Sequence, residues 1–340
     1  MKVLVTGATG FLGSHIVDAC LNQGDSVKVL VRYNSNLSYL KTLNVEFVFG
    51  DLHDRASLLQ ATLEVDVIYH SAARVLDYGT RAQFLQTNVI GTKNLVAAAK
   101  QNNIDRFVFI SSPSVVMSGK DQLDIDESEP YSSYFYNLYS ETKALAEQYV
   151  LSQNSVDFIT CSLRPRAIWG PRDKQGTLPR MLAKIRDGKL PNMSGGRSVK
   201  ASMCYCTNAA HACLLAARSE RVGGKSYFIT DTEQLDIWSF ASYMANRYNL
   251  PPITRQVSPK LIWYVASLID LVWKIPYLSN HLSPPLPRYT VGLLTLNSTY
   301  KLNAAKADLG YAPIVNLEQG LHEIDKWMGD DGLDKYIGHL

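Results

Sequence analysis

The chain has 340 residues, of which 46% are apolar and 19% charged. This is a globular composition, long enough for two lobes around a sizeable core, and it excludes a disordered chain. A formal net charge of +3, with no cluster of Lys and Arg to concentrate it, argues against nucleic acid as a partner. Five cysteines leave one over in any disulfide scheme and show no framework spacing, so reduced thiols in a cytoplasm are expected. Cys204 and Cys206 form a C-x-C without the second Cys/His pair of a zinc site and read as strand residues, so no metal is expected.

The N-terminal run "MKVLVTGATG" is too short and too interrupted by glycine for a signal peptide. Apolar runs rich in β-branched and aromatic residues predict strands at 2–6, 27–32, 45–50, 65–70, 106–111 and 157–163, nearly continuous in hydrophobicity, as strands covered on both faces are. Between them "FLGSHIVDACLNQG", closed by Gly24, and "FLQTNVIGTKNLVAAAKQN" carry helical spacing. The alternation predicts a doubly wound parallel α/β sheet (a Rossmann fold) over residues 1–164, with 200–230 returning to it. After about Pro165 glycine and proline become frequent and helices dominate, which predicts a smaller, mainly helical substrate lobe over 165–340. Within it "LIWYVASLIDLVW" (261–273) is strongly apolar but shorter than the roughly 20 residues of a membrane span. It reads as a buried or lobe-capping helix, with a lipid-substrate flap or a peripheral membrane contact as the alternatives.

"VLVTGATGFLGSHIV" places Gly7, Gly10 and Gly13 directly after the first strand and into the first helix. A tight turn, close approach of backbone to a pyrophosphate and a helix N-terminus with free amides explain that pattern; Thr9, Phe11 and Leu12 share the loop. An acidic residue closing the second strand would bind the ribose diol of NAD, whereas a basic one accommodates the extra phosphate of NADP. Arg32 closes it here, so NADP(H) is preferred, with NAD(H) as the alternative. After the third strand, Asp51 and Leu52 are placed near the adenine, although Asp51 could equally cap the helix starting near Asp54.

"YSETK" puts Tyr139 and Lys143 one turn apart on a helix face. An ammonium there would stabilise a phenolate and lower the tyrosine pKa from near 10, as a general acid/base for a carbonyl–alcohol pair requires. Ser112, in "FVFISSPSV" at an upstream strand end, can donate to a substrate oxygen.

In order, "TGATGFLG", "GDL", "HSAA", "NVIGTKNL", "FISSPSV", "YSETK", "LRPRAIWGP" and "YCTNAAHACLLAA" resemble an extended short-chain dehydrogenase/reductase of the epimerase/dehydratase superfamily over nearly the whole chain. Within it the sequence resembles the 3β-hydroxysteroid dehydrogenase-like branch. "RPRAIWGP" and "SPSV" resemble bacterial members that reduce 2-alkyl-3-oxoalkanoates. The resemblance implies an oxidoreductase with Tyr139 as acid/base, Lys143 holding the nicotinamide ribose, and Ser112 orienting the carbonyl. It also implies that Asn88 shapes the site and that Ser71, Ala72, Ala73, Ser111, Pro165 and Ala167 line the cofactor cleft. Ser114, Arg166 and Trp169 are candidate substrate contacts, while Asn208 and His211 read as scaffold. Trp169, Trp238, Trp263, Tyr264 and Trp273 point to a small hydrophobic substrate, a long-chain 3-oxo acid or a sterol. The resemblance also implies a homodimer. The competing readings are a nucleotide-sugar epimerase or dehydratase with tightly bound NAD, and a non-catalytic NADP-sensing protein.

Overall fold

The computed structural model describes residues 1–338, so the last two positions of the 165–340 lobe lie outside the described residues. Strands β1 (Lys2–Thr6), β2 (Ser26–Val31), β3 (Glu46–Phe49), β4 (Val67–His70) and β5 (Arg106–Ile110) alternate with helices α1 (Phe11–Asn22), α2 (Arg55–Thr62), α3 (Arg81–Phe84) and α4 (Gly91–Gln101). A π-helical stretch, Leu85–Ile90, joins α3 to α4. A short strand β6 (Gln122–Ile125) precedes α5 (Leu138–Ser152), which leads back into β7 (Ile159–Pro165). Then follow β8 (Ile168–Trp169), α6 (Thr177–Arg186), β9 (Lys200–Ser202), β10 (Cys204–Tyr205), α7 (Cys206–Arg218), β11 (Lys225–Ile229), β12 (Gln234–Asp236) and α8 (Ile237–Arg247). The chain closes with α9 (Pro259–Val272), α10 (Pro276–His281), α11 (Arg288–Thr295), β13 (Ser298–Tyr300), α12 (Leu317–Met328) and α13 (Gly332–Ile337).

The central sheet is a seven-stranded doubly wound Rossmann sheet in the order β11-β7-β5-β4-β1-β2-β3, with every ladder parallel. Its strands are apolar along their length because helices cover both faces: Val3, Val5 and Tyr69 belong to one core, Leu4, Ile68 and Phe107 to the other. β11 pairs with β7 and α7 packs on α1, so this stretch completes the sheet. The remaining C-terminal elements enclose a second core around Trp169, Leu182, Trp238 and Leu321. Cys204 is a strand residue, but Cys206 opens α7.

The apolar segment at 261–273 is not a buried helix. Ala266 is the one residue of α9 fully removed from solvent. Trp263 anchors its inner edge, its Nε1 donating to Thr295 Oγ1 at 3.0 Å. Leu261, Tyr264, Val265, Leu268, Leu271 and Val272 remain exposed. A helix apolar nearly all round finds a partner on one side only, and the other side stays bare.

Candidate active site

The crevice of a doubly wound sheet opens where the strand order reverses, here between β1 and β4. The chain leaves β1 at Thr6 and turns at Gly7, whose φ is 71°. A Cβ there would sit 2.7 Å from the Ala72 nitrogen, and one on Gly13 would sit 2.1 Å from the Gly7 carbonyl oxygen. The turn therefore lies tight against the end of β4, where the Ala72 N–H donates to Thr6 Oγ1 and the Ser71 N–H to the Thr6 carbonyl, both at 3.3 Å. Helix α1 starts after Gly10 with no side-chain cap and no acid in its first turn. Its amide donors and positive dipole end are left to an anion. Thr9 and Gly10 are exposed, Phe11 and Ala73 half-buried, Leu12 and Gly13 buried. These residues fit the pyrophosphate of a dinucleotide.

Arg32 follows β2 and is exposed. Beside it Tyr33 stacks on Phe49 with ring centroids 5.1 Å apart. Asp51 does not cap α2: its Oδ1 accepts the His53 N–H at 3.0 Å, while Asp54 caps the helix through the Ala56 N–H at 3.1 Å. The Leu52 side chain packs against Gly91, so close that a Cβ on that glycine would meet it at 2.8 Å. It belongs to the core under the sheet rather than to the cleft wall.

Asn137 starts α5 by accepting the Ser140 N–H at 2.8 Å. The helix then carries Tyr139, Lys143 and Glu147 one turn apart. The Tyr139 hydroxyl faces Ser112, whose own Oγ accepts the Ser114 N–H at 3.2 Å and so is fixed in place. Burial raises the Tyr139 phenol well above its usual value, the nearby Tyr289 adding to the rise and Ser112 opposing it. Lys143 lies 3.9 Å above the Phe109 ring centroid and donates to the Ile110 carbonyl. Burial lowers its ammonium to about 7, against the pull of Glu147. The expectation that Lys143 lowers the Tyr139 pKa is thereby corrected: the two share a helix face, but Lys143 reaches down onto β5, and burial governs the phenol.

Beneath them Glu147 is a buried acceptor for Arg164 Nη2 at 2.5 Å, Tyr131 at 2.8 Å and Ser162 at 2.8 Å, tying α5 to β7. Burial opposes its charge, yet Arg164 and Tyr131 hold it below the usual carboxylate range. Asn88 is committed inside the protein, accepting the Arg74 N–H at 2.7 Å and donating to Thr142 Oγ1 at 2.9 Å. It fastens the loop after β4 to α5. Ser111 is buried beside Glu147.

Of the candidate substrate residues, Ser114 and Arg166 both neighbour Tyr289. Ser114 Oγ is buried beside Tyr289. Arg166, just past the buried Pro165 that ends β7, donates from Nη2 to Ser298 Oγ at 2.7 Å. Ala167 follows with φ 42°. Trp169 is corrected to a core residue: it packs edge-on against Tyr205 at 4.8 Å, and its Nε1 donates to Asp231 at 2.9 Å. A buried indole needs an acceptor for its N–H, and Asp231 supplies it. Trp238 is likewise core. Asn208 holds the Ile314 and Val315 amides at 2.8 and 3.0 Å as scaffold. Sequence reading missed Glu147, Tyr289, Ser298 and Tyr300. Glu147 was within reach, because it continues the face of Tyr139 and Lys143 by one more turn.

The model of the 3-beta hydroxysteroid dehydrogenase/isomerase family matches residues 4–257. The chain belongs to this family. The 2-alkyl-3-oxoalkanoate reductase of Stenotrophomonas maltophilia is 34% identical over 331 residues, spanning 95% of this chain and 98% of that protein. The 3-beta-hydroxysteroid dehydrogenase of Mycolicibacterium neoaurum is 34% identical over 336 residues, spanning 95% and 90%. The crystal structure of gox2253 shares the fold, with a TM-score of 0.81 at 24% identity over 98% of this chain and 99% of its own. As a member of the family, the protein is a nicotinamide-dependent dehydrogenase/reductase acting on CH–OH groups. No helix among the described residues is long and apolar enough to cross a membrane.

Proposed function

We propose that the protein is an NADP(H)-dependent reductase that interconverts the ketone and secondary alcohol of a long-chain 3-oxo/3-hydroxy acid, with Tyr139 as its acid/base. The observation that carries this reading is the Tyr139 hydroxyl facing Ser112 at the sheet edge where a dinucleotide binds. A bound nicotinamide supplies or accepts the hydride. Ser112 donates a hydrogen bond to the substrate oxygen and Tyr139 delivers the proton to it. At neutral pH the phenol carries its proton, the form in which Tyr139 can act as the acid in reduction. Lys143 holds the ribose with the donors left after its bond to Ile110. Apolar contacts between α9, α11 and the segment before α5 suit a hydrocarbon tail: Trp263 lies 6.1 Å from Tyr136, and Met117 packs against Gly292. Assays of NADPH and NADH oxidation against 3-oxo acids, 3-oxosteroids and aldehydes test the reading; turnover confined to NADH and steroids refutes it.

The NADP preference rests on Arg32, which is exposed at the end of β2. Among the described residues it forms no ion pair, leaving its guanidinium free for a phosphate. Arg32→Asp is expected to raise the KM for NADPH by about tenfold or more, the value of one charged contact, and to lower the KM for NADH. If wild type uses the two cofactors equally and the variant moves neither KM, the preference is refuted.

The outer face of α9 rests, on this reading, on an anionic bilayer. Its apolar residues lie between exposed Lys260 and Lys274, and Lys184, Lys189 and Arg255 line the groove beside Leu261 and Val265. An apolar helix face flanked by cations binds anionic lipid by burial plus charge. The protein is expected to sediment with phosphatidylglycerol vesicles, less with phosphatidylcholine, and the pair Leu268→Asp and Leu271→Asp to remain in the supernatant. Equal sedimentation of this variant and wild type would remove the role.

A further inference from the structure

Arg166 is a buried cation that the hydride and proton steps leave unused. It lies at the carboxyl edge of the sheet, one residue past β7, with 7% of its surface exposed. Its backbone N–H is fixed on the Ile229 carbonyl at 3.2 Å. Two residues earlier, Arg164 is neutralised by Glu147 at 2.5 Å. Arg166 has no such partner: among the described residues no carboxylate lies within ion-pair distance of it, and its guanidinium donates to a neutral acceptor, Ser298 Oγ, at 2.7 Å. A buried charge without a counter-ion is costly, so buried cations are ordinarily paired.

The surroundings explain what such a cation can meet. Ser114 is also buried, with Tyr289 as the neighbour of its hydroxyl. Tyr289 lies beside Ser114 and close enough to feel the Arg166 charge, and Tyr300 lies against Arg166 itself. Tyr289 is also a neighbour of Tyr139. Arg166 and Ser114 therefore share Tyr289 as a neighbour with the reacting hydroxyl. In a 3-oxo acid the carboxylate carbon is two bonds from the ketone carbon, so an anion site next to the proton donor can hold one while the other reacts. A planar guanidinium matches a carboxylate through paired N–H donors.

We propose that Arg166, aided by Ser114, forms an anion subsite that binds the carboxylate of a 3-oxo or 3-hydroxy acid, selecting acids over neutral sterols and esters. The proposal rests on the reading of Tyr139 as the acid/base and narrows its substrate class. Arg166 is thus a specificity-determining residue, distinct from the groups that move the proton.

The test uses a 2-alkyl-3-hydroxyalkanoic acid and its methyl ester, each oxidised with NADP+ by wild type, Arg166→Met and Arg166→Lys. Wild type is expected to favour the acid. Arg166→Met is expected to raise the KM for the acid about a hundredfold, as loss of a charge-assisted pair of hydrogen bonds predicts, with the ester within about threefold of wild type. Arg166→Lys should recover part of the loss. As a second readout, the acid alone should raise the melting temperature of wild type but not of Arg166→Met. Equal losses for acid and ester, or a raised KM for NADP+ with the acid unaffected, overturn the subsite and assign Arg166 to packing or to the cofactor. Failure of the reaction reading is separately visible: Tyr139→Phe would then keep its turnover, whatever the acid-to-ester ratio of the Arg166 variants.

Discussion

Tyr139→Phe is expected to lower kcat for ketone reduction by about a thousandfold, within the 10²–10⁴ range attributed to a positioned acid or base, while changing the KM for cofactor by less than about threefold. The variant removes one oxygen from a hydroxyl that faces Ser112 and keeps the ring, so the packing of α5 is preserved. Direction adds a second signature. Burial raises the wild-type phenol, so reduction, which consumes a protonated Tyr139, should stay flat through neutral pH. Oxidation needs the phenolate and should climb with pH in the alkaline range. In Tyr139→Phe that climb disappears. Ser112→Ala should lower kcat less and retain the alkaline climb, since the proton carrier is untouched. Stopped-flow measurement of NADPH consumption in reduction and NADPH formation in oxidation, from pH 6 to 10, reads both effects. A Tyr139→Phe enzyme with wild-type kcat would place the proton elsewhere.

What the sequence discloses here follows from how local each signal is. The sheet strands were legible to within two residues at either end, because burial on both faces leaves continuous apolar runs. β11 was harder, since "KSYFI" comes after the regular alternation of strands and helices has broken off. Gly7 and Gly13 were readable because their constraint is steric and near in sequence. Helical spacing placed Tyr139 and Lys143 on one face but said nothing of how deep each side chain reaches. The direction of the phenol shift was therefore misread, Lys143 going to Ile110 and the Phe109 ring. Trp169 went astray for a related reason: an indole serves a core and a binding wall equally well, and the partner that decides, Asp231, lies far along the chain. Tyr289 and Tyr300 carry no local motif and enter the site only through the packing of α11 and β13. Arg166 could be named from its strand-end position, but its lack of a counter-ion is a property of the folded neighbourhood.

Glu147→Gln is expected to destabilise the protein by about 3–5 kcal/mol, the cost of leaving one member of a buried ion pair uncompensated. Both partners are sealed, with 3% and 0% of the Arg164 and Glu147 side chains exposed, so solvent cannot stand in for the lost charge. The amide can still accept from Tyr131 or Ser162, which places the loss at the lower end of that range. The pH dependence has a definite sign. Glu147 is held below its unfolded value near 4.5, so between the folded and unfolded values the unfolded chain binds more protons, and wild-type stability rises with pH there. The contribution is fully present above about pH 5 and is lost as pH falls through the folded value. The gap between wild type and Glu147→Gln should accordingly be constant at neutral pH and narrow in acid. Arg164→Met alone should also destabilise, because it strands the carboxylate. The double variant Glu147→Gln with Arg164→Met should recover much of the loss, since replacing a buried pair removes two desolvation costs together. Urea midpoints at pH 7 and pH 4 measure all four proteins. The functional consequence runs through Lys143, whose ammonium is held up toward about 7 by Glu147 against burial. Without that carboxylate Lys143 loses its proton at lower pH, so any loss of cofactor affinity that tracks its charge should move toward acid in Glu147→Gln. A variant with the wild-type urea midpoint and an unmoved cofactor pH profile would show that the pair neither holds α5 to β7 nor sustains the lysine.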